Sequence, residues 1–387
     1  MNEKILESLI KLQDYIIKED FRGYDPYDGL MSPIFKSPFL RSNKLIRFGF
    51  QQIFRRIPFN IRPLLGIKKG LNPVTLGLSI QAFTYLSQVF ENKKEFYLEK
   101  INYCLERLLK LQSKGYSGVC WGYDFDWEAR YTRIDAYQPT IVATGIITNA
   151  LYEYYKFFND ESVKKVIISA SDFVLNDLNR TYDKYGDYCL SYSPNDKQIV
   201  FNASMKGARL LAQAYSLNNN PELFNQAKKI VSFTIKHQNN DGSWPYSYGD
   251  ARTWVDNFHT AYVLDCLDDY IKISGDNSYE KNLQLGLNFY LKYFFENDGI
   301  AKYYSNKTYP IDSTAIAQSV LTLCRFGELK KAEEILIWTI KNMASKKGFF
   351  YYQRSRFYKH RTTYMRWSNA YMLVSLSCYL IVTKNYA

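Results

Sequence analysis

One short pattern recurs along the chain and constrains its fold more than any other feature. A long amphipathic stretch ends at a turn that contains glycine, and aromatic residues follow within four positions. The turn glycines are Gly118, Gly186, Gly242, Gly299 and Gly348, separated by 68, 56, 57 and 49 residues. A weaker copy lies near the start, at 23–29. Regular recurrence of this kind is typical of folds that stack one helical unit repeatedly.

Two kinds of helical stretch alternate between these turns. The first kind is rich in small and aliphatic residues on most faces, as in 140–151, and such a helix should be buried. The second kind, such as 162–178 and 329–343, carries lysine and glutamate on one side and should be exposed. We therefore predict units of an inner and an outer helix. The inner helices should begin near Pro73, Pro139, Asn202, Asp256, Asp312 and Thr363.

The two ends of the chain each supply half a unit. The N-terminal helix, about 3–18, is of the outer type, and the last inner helix, about 363–384, has no outer partner after it. An open solenoid would leave both halves unpaired, whereas a ring pairs them. We therefore predict an all-α (α/α)6 toroid in one domain, residues 1–387, closed by the N-terminal helix, with a basic amphipathic insertion at about 31–70.

In such a ring the aromatic loops emerge at one end and surround a single cleft. Tyrosine contributes 35 of the 387 residues and has both an apolar ring and a hydroxyl, so it suits the lining of a polar cleft. The net charge of +12 disfavours a cationic partner. It agrees with an acidic glycan or an anionic membrane. We expect no nucleic acid partner, because the sequence contains no recognisable nucleic-acid-binding module.

Cysteine and histidine give no sign of a metal centre. The six cysteines are scattered without a CxxC pair, and the three histidines lie far apart. We therefore expect reduced cysteines, no metal and no cofactor. Residues 1–13 lack the apolar run of a signal peptide, and the longest nearly apolar run, 370–382, is too short to cross a bilayer. A cytoplasmic location follows as the expectation.

The loop at 120–130 is the densest chemical stretch of the chain. Aromatic faces pack on the C–H faces of sugars, while carboxylates and arginine bind hydroxyls or acidic groups. We expect at least one tryptophan here to plug the barrel end and the two aspartates to face the cleft. The predicted substrate-binding residues are Trp121, Tyr123, Asp124, Trp127 and Arg130, with Asp126 as a catalytic carboxylate.

The loop at 241–260 supplies the second group of candidates. Asp256 stands at the N-cap of an inner helix and His259 follows three residues later, so both should lie at the mouth of the barrel. A carboxylate beside histidine sets its tautomer and suits it to acid–base catalysis. Alternatively, Asp256 only caps and His259 only satisfies a core hydrogen bond. The other candidates are Tyr246 for catalysis and Trp244 and Arg252 for binding.

The last two units add binding candidates. No acidic residue occurs after Lys341, and Arg366 begins a buried helix, which makes it a candidate for holding an anion. Tyr364 and Trp367 flank it. Asp312 is expected to cap the fifth inner helix or to contribute to the cleft.

Residues 32–70 contain nine basic residues and no acidic one, interleaved with phenylalanine, leucine and isoleucine. Such a segment suits an anionic membrane surface, at about 1 kcal/mol per basic residue near it. The alternative is an insertion packed across the outside of the ring.

Two resemblances extend this interpretation. Residues 238–244 resemble the QxxDGSW repeat of squalene-hopene cyclases, but the repeat occurs once and the aspartate-rich acid motif is absent, so only the turn carries over. More of the chain resembles α/α-toroid proteins encoded in bacterial capsule, O-antigen and exopolysaccharide loci. The matching stretches are 23–30, 120–127, 139–144, 256–260 and 364–367. Similar toroids include six-hairpin glycosidases, heparinase-type lyases and uronyl epimerases, which implies a sugar substrate.

We therefore expect a carbohydrate-active protein, more readily an enzyme than a binding subunit, that acts on an acidic surface polysaccharide or its lipid-linked precursor. Hydrolysis would use Asp126 and Asp256 on either side of the sugar. Lyase or epimerase chemistry would use Tyr246 or His259 as the base, with Arg366 or Arg130 on the substrate carboxylate. A non-catalytic glycan-binding or scaffold subunit is the alternative. A terpenoid-handling toroid fits less well, because its cavity should be apolar.

Overall fold

Twelve long helices alternate between two concentric layers in the computed structural model, which describes residues 2–386 and the side chains through residue 384. The inner helices are α4 (Pro73–Val89), α6 (Ile141–Phe158), α8 (Phe201–Asn218), α10 (Asn257–Ser274), α12 (Ser313–Arg325) and α14 (Tyr371–Tyr386). The outer helices are α1 (Glu3–Lys18), α5 (Lys94–Lys110), α7 (Glu161–Asn176), α9 (Pro221–Lys236), α11 (Glu280–Tyr293) and α13 (Leu329–Met343). Two short helices, α2 (Pro38–Ser42) and α3 (Lys44–Phe54), lie in the insertion.

The inner helices close into a ring. Each packs on the next in chain order, and α14 packs back on α4. The N-terminal helix α1 packs against α13 and α14, where the sixth outer helix is required. The predicted (α/α)6 toroid, closed by the N-terminal helix, is confirmed.

Burial distinguishes the two layers as the sequence pattern predicts. In α4, residues 73–87 are all buried, and the helix begins at an Asn72 cap followed by Pro73. In α1, by contrast, Ile5, Leu9, Leu12 and Ile16 form one buried stripe. Within residues 2–386, no helix combines the length and apolar character needed to span a bilayer.

The turn glycines are required by close packing as well as by backbone conformation. Gly242, Gly299 and Gly348 have φ of +94°, +80° and +92°, where residues with a Cβ are strained. A Cβ on Gly242 would also lie 2.3 Å from the Leu285 carbonyl oxygen in α11. Gly299 and Gly348 approach the backbones of α13 and α1 in the same way. Each turn therefore docks on the next outer helix, and Gly348 places α1 in that series.

The loops before the inner helices contain short strands that pair antiparallel. The strands are β1 (Trp127–Glu128), β2 (Arg133–Ile134), β3 (Arg180–Tyr182), β4 (Tyr188–Leu190), β5 (Ile199–Val200), β6 (Ser247–Tyr248), β7 (Ile311–Asp312), β8 (Gln353–Arg354) and β9 (Lys359–His360). β1 pairs with β2, β3 with β4, and β5 with β6, while β7, β8 and β9 form one sheet. The β5–β6 and β7–β8 pairs join loops of successive units, which gives the cleft a fixed rim.

The insertion packs against the same end of the ring. Arg47 in α3 donates a 2.7 Å hydrogen bond to the buried Glu128 of β1. Arg62 forms a second buried ion pair, 2.8 Å from Asp28. Both basic side chains are therefore used inside the protein. The insertion is part of the cleft wall and not a detached arm.

Candidate functional site

A cleft of about 360 Å³ opens at the N-terminal end of the inner barrel. Helix α3 of the insertion forms one wall, and the loops of successive units form the others. Its aromatic lining includes Tyr27, Tyr123, Trp127, Tyr192, Tyr246, Trp254, Tyr303, Tyr304 and Trp367. Many of these rings contact one another, as Tyr27 does with Trp127 and Trp367 at 5.6 and 5.8 Å between centroids. The predicted collection of aromatic loops around one opening is present.

Asp256 and His259 form a hydrogen-bonded pair at the first turn of α10. The His259 Nδ1 lies 2.7 Å from Asp256 Oδ2, and because a carboxylate only accepts, the imidazole proton resides on Nδ1. Asp256 Oδ1 accepts from the His259 backbone N–H at 3.1 Å as the helix cap. The Asp256 side chain is fully enclosed, whereas that of His259 is 22% exposed and lines the cleft. The pair therefore leaves Nε2 as the nitrogen available to a ligand.

Two aromatic residues hold this pair in place. The Trp254 Nε1 donates a 3.0 Å hydrogen bond to Asp256 Oδ2. The Tyr246 ring stacks on Trp254 at 5.1 Å and meets the edge of His259 at 4.6 Å. Burial raises the pKa of Tyr246 well above its usual value, so its hydroxyl stays protonated and can donate.

Five arginines and one carboxylate line the cleft, and two of the arginines are already paired. Arg366 binds Asp25 through two hydrogen bonds of 2.7 and 2.9 Å and is buried. Arg252 binds Asp250 in the same two-point manner. These two residues shape the cleft wall, because their charges are neutralised by their partners.

The other three arginines, Arg55, Arg56 and Arg130, have no carboxylate within ion-pair distance in the part of the chain that the structure describes. Arg55 is held by the Tyr27 hydroxyl at 2.7 Å, and Arg56 and Arg130 are exposed at the rim. Glu128, the one lining carboxylate among the described residues, is neutralised by Arg47. The cleft therefore carries uncompensated positive charge on its α3 and β1–β2 sides.

The two aspartates of the 120–130 loop do not line the cleft. Asp126 accepts the Ala136 backbone N–H at 2.9 Å and stabilises its own loop. Asp124 accepts from Asn72 at 2.6 Å and lines a separate pocket of about 310 Å³. Burial, together with the charge of Asp25, raises the pKa of Asp124 to about 6. The expected carboxylate pair across the cleft is therefore not formed.

Four further predicted residues lie in the walls rather than in the cleft. Trp121 and Trp244 are buried and donate from Nε1 to backbone carbonyls of the preceding outer helices, α5 and α9. Each of these tryptophans fills the end of its own helical unit, as expected for one tryptophan of the 120–130 loop. Tyr364 is buried with its ring 4.7 Å from the Arg62 guanidinium. Asp312 is buried as the cap of α12 and accepts from Thr314 and Ala315.

Several lining residues were not singled out from the sequence. Tyr303 and Tyr304 belong to the aromatic group after Gly299, so the repeat itself was the available signal. Arg55 appeared only as part of a basic run. Asn202 lies in the first turn of α8, and its Oδ1 is buried without a hydrogen-bond partner among residues 2–386. An oxygen in that position can accept a hydrogen bond from a ligand hydroxyl.

Comparison with known proteins identifies the fold. No protein-family model matches the chain, and no curated protein matches it. Cellobiose 2-epimerase from Bacillus thermoamylovorans B4167 aligns with a TM-score of 0.63 and 14% identity, over 81% of this chain and 88% of the epimerase. The GH76 α-mannanase from Bacteroides thetaiotaomicron aligns with a TM-score of 0.58 and 13% identity, over 80% of this chain and 86% of the mannanase.

An unsaturated glucuronyl hydrolase specific for heparin gives a TM-score of 0.57 and 15% identity, over 83% of this chain and 90% of the hydrolase. At these identities the similarity concerns the fold. The chain has the α/α-toroid fold that these three proteins share.

Proposed function

We propose that this protein is a carbohydrate-active enzyme that abstracts a proton from an acidic sugar, as a uronate lyase or epimerase does. The observation that carries the proposal is the Asp256–His259 pair, whose imidazole faces the cleft with its proton fixed on Nδ1. A neutral imidazole with a free Nε2 is a suitable general base near neutral pH. The buried Asp256 carboxylate stabilises the imidazolium that forms.

The cleft also contains groups for the other parts of such a reaction. Arg55, Arg56 and Arg130 can bind the sugar carboxylate, which lowers the cost of removing the adjacent C–H proton. In a lyase, the electron pair of that C–H bond forms a C=C bond and the neighbouring C–O bond breaks. Tyr246 donates its hydroxyl proton to the departing oxygen, or to the opposite face of the carbanion in an epimerase.

Hydrolysis by two carboxylates is the weaker alternative. It needs an acid and a second carboxylate on either side of the glycosidic bond. Asp256 is enclosed, Asp126 is outside the cleft, and Glu128 is 2% exposed and bound to Arg47. Among the described residues, the cleft therefore offers one base and several cations.

The structural neighbours support a saccharide as the substrate. They are a cellobiose 2-epimerase, an α-mannanase and an unsaturated glucuronyl hydrolase specific for heparin. The aromatic lining and the free arginines favour an acidic glycan, which agrees with the sequence resemblance to proteins of capsule and O-antigen loci. An acidic surface polysaccharide, or its lipid-linked precursor, is the substrate class we propose.

The insertion supports a location on the cytoplasmic side of an anionic membrane. Gln52 of α3 and Arg55, which follows the helix, line the cleft, while Leu45 and Ile53 of α3 are 81% and 68% exposed. Phe39, Phe59 and Leu64 are also exposed nearby. Four of the nine basic residues serve the interior or the cleft. Of the other five, Lys69 pairs with Glu19, so Lys36, Arg41, Lys44 and Lys68 remain for a membrane.

Liposome flotation tests this location. Wild-type protein should float with vesicles that contain phosphatidylglycerol, and salt should weaken the binding. A variant with Lys36→Gln, Arg41→Gln and Lys44→Gln should lose most of it. A control variant with Lys164→Gln, Lys165→Gln and Lys229→Gln on the outer helices should float like wild type. Equal flotation with phosphatidylcholine alone, or equal loss in both variants, would reject the membrane role.

Product analysis on a panel of acidic polysaccharides tests the function. Wild-type protein should generate an unsaturated sugar or an altered uronate epimer, and His259→Ala should still bind the glycan without converting it. New reducing ends without unsaturation would show hydrolysis instead. Saturable binding by wild type with no product would favour the non-catalytic alternative, a glycan-binding or scaffold subunit that uses the same aromatic cleft.

A further inference from the structure

A second cavity, of about 540 Å³, lies at the opposite end of the inner barrel. Its walls come from the later turns of the inner helices, including Glu153 of α6, Asp265 of α10 and Arg325 of α12. We call this second space the lower cavity. Tyr262 and Tyr371 line both the lower cavity and the cleft, and their hydroxyls are 2.5 Å apart. The two tyrosines therefore form a partition, and the lower cavity is a separate space on the ring axis.

The carboxylates of the lower cavity all have partners. Glu153 accepts from the Tyr85 hydroxyl at 3.0 Å and lies 2.8 Å from the Lys156 ammonium. Asp265 accepts from Gln318 and Thr322 at 2.7 and 2.9 Å.

The adjacent aspartates of α10 are matched by cations. Arg325 contacts Asp268 and Asp269 at 2.9 and 2.6 Å. Lys272 also pairs with Asp268 at 2.8 Å, and Arg209 lies 3.6 Å from Asp269. Arg325 also lies 3.7 Å from Asp265. Among the described residues, each of these acids thus has a cation other than Lys206 within ion-pair distance.

Lys206 of α8 is a cation of this cavity that forms no ion pair with a described carboxylate. It is 1% exposed and lines the cavity, and its ammonium lies 3.2 Å from the centre of the Tyr262 ring. Among the residues that the structure describes, no oxygen accepts a hydrogen bond from it. The Nε of Arg209, one turn further along α8, is also buried without a partner. The Lys206 ammonium therefore faces the cavity and the Tyr262 ring, and an acceptor oxygen of a ligand in the cavity can take the hydrogen bonds that no described protein oxygen takes.

We propose that the lower cavity binds a phosphate group through Lys206 and Arg209. A phosphate supplies the missing acceptor oxygens and the missing negative charge. The volume is within the usual range for small-molecule sites and is large enough for a sugar phosphate. This site is independent of the reaction proposed for the cleft.

The site should respond to pH through Lys206. Burial lowers the pKa of Lys206 to about 7. The charged or titratable groups next to Lys206 or in the lining of the same cavity are Arg209 on α8, Tyr262, Asp265, Cys266 and Lys272 on α10, Tyr85 on α4, Glu153 and Lys156 on α6, Cys324 and Arg325 on α12, and Tyr371 and Cys378 on α14. A bound anion favours the ammonium form, so binding should take up a proton above pH 7 and weaken as the pH rises.

Titration calorimetry with inorganic phosphate at pH 6.5 tests the site. Wild-type protein should bind one phosphate per chain, and Lys206→Met should weaken binding at least about tenfold, the effect of one charge-assisted hydrogen bond. Lys272→Met is the matched control, because it removes a lysine of the same cavity whose side chain is 62% exposed and already paired. It should change the affinity less than about threefold.

Further arms identify the source of the phosphate and protect against a misfolded variant. Tighter binding of glucose 1-phosphate than of inorganic phosphate assigns a sugar phosphate, and the reverse order assigns the free ion. Sulfate does not titrate between pH 6.5 and 8.5, so its affinity for wild type should fall about tenfold over that range. No binding by wild type, equal binding by Lys206→Met, or a pH-independent sulfate affinity would each overturn the proposal.

Discussion

Asp256 and Asp312 stand at the N-caps of the neighbouring inner helices α10 and α12. One difference between them explains why we place the proposed base at α10 and not at α12. Both are buried, and both cap their helix. Each also accepts a hydrogen bond from a tryptophan indole, Trp254 in one case and Trp367 in the other. The difference is the residue three positions later.

That residue is His259 in α10 and Ala315 in α12. Oδ2 of Asp256, the oxygen that does not cap the helix, therefore orients an imidazole, whereas Oδ2 of Asp312 accepts from the Gln353 side chain. A capping aspartate thus recurs at the start of both helices. Only in α10 does a histidine in the first turn contact this aspartate, and together the two residues form the proposed Asp–His base.

Replacement of His259 should have the largest effect. His259→Ala removes the proposed base and should lower kcat about 10²–10⁴-fold, with glycan binding and Tm close to wild type. His237→Gln is the control, because His237 caps α9 and bonds the Phe233 carbonyl away from the cleft. Full activity in His259→Ala would remove the imidazole from the mechanism.

Asp256→Asn should cause the second largest loss of kcat. Asparagine caps a helix about as well as aspartate, but its amide N–H would face the Trp254 Nε1–H, so the Tm should fall, as it should in Asp312→Asn, where the amide would face Trp367. In Asp256→Asn the amide can also present N–H to Nδ1 and displace the imidazole proton to Nε2, which removes the base. We expect kcat to fall about 10²-fold. Asp312→Asn is the matched control, and its kcat should stay close to wild type in steady-state kinetics. An equal loss of kcat in the two variants would contradict the distinction between the two capping aspartates.

Loss of an unpaired cleft arginine should affect binding more than turnover. Arg55→Gln and Arg130→Gln should each raise KM about tenfold, the effect of one charge-assisted hydrogen bond. The increase should shrink at high salt, because screening weakens the lost interaction. Arg22→Gln, at an exposed site beside Asp20, should leave KM unchanged. An unchanged KM in the cleft variants would argue against an acidic substrate.

The smallest effect concerns Asp312 and stability. Burial raises the pKa of Asp312 to about 6. Between about pH 4 and 6 the folded state therefore holds a proton that the unfolded state releases, so this group's contribution to stability declines as the pH rises. Asparagine does not titrate. The Tm of Asp312→Asn relative to wild type should therefore rise by about 2 °C from pH 4 to pH 6.5; a constant difference would contradict the assigned pKa.

The fold was predictable because its determinants are local. Gly242, Gly299 and Gly348 mark turns whose conformation and close packing exclude a Cβ, and caps such as Asn72 mark the helix starts. Hydrophobic patterning then separates the inner from the outer helices. Closure followed from the half-units at the two ends.

The site was predictable only in part, because aromatic residues after a turn glycine take one of two roles. Trp121 and Trp244 bond the preceding outer helix and act as plugs, whereas Tyr246 and Trp127 reach the cleft. Nothing in the local sequence distinguishes these roles. The basic insertion was ambiguous for the same reason, since the direction in which Arg55 points depends on tertiary packing.

Hydrogen exchange at the substrate tests the central claim most directly. Wild-type protein and His259→Ala are incubated in D₂O with alginate, heparin, hyaluronan and polygalacturonate, and proton NMR follows the carbon-bound proton next to the uronate carboxylate. We predict that wild type replaces this proton with deuterium or eliminates it to give an unsaturated sugar, and that His259→Ala does neither. Cleavage by wild type that leaves this proton in place would contradict the account.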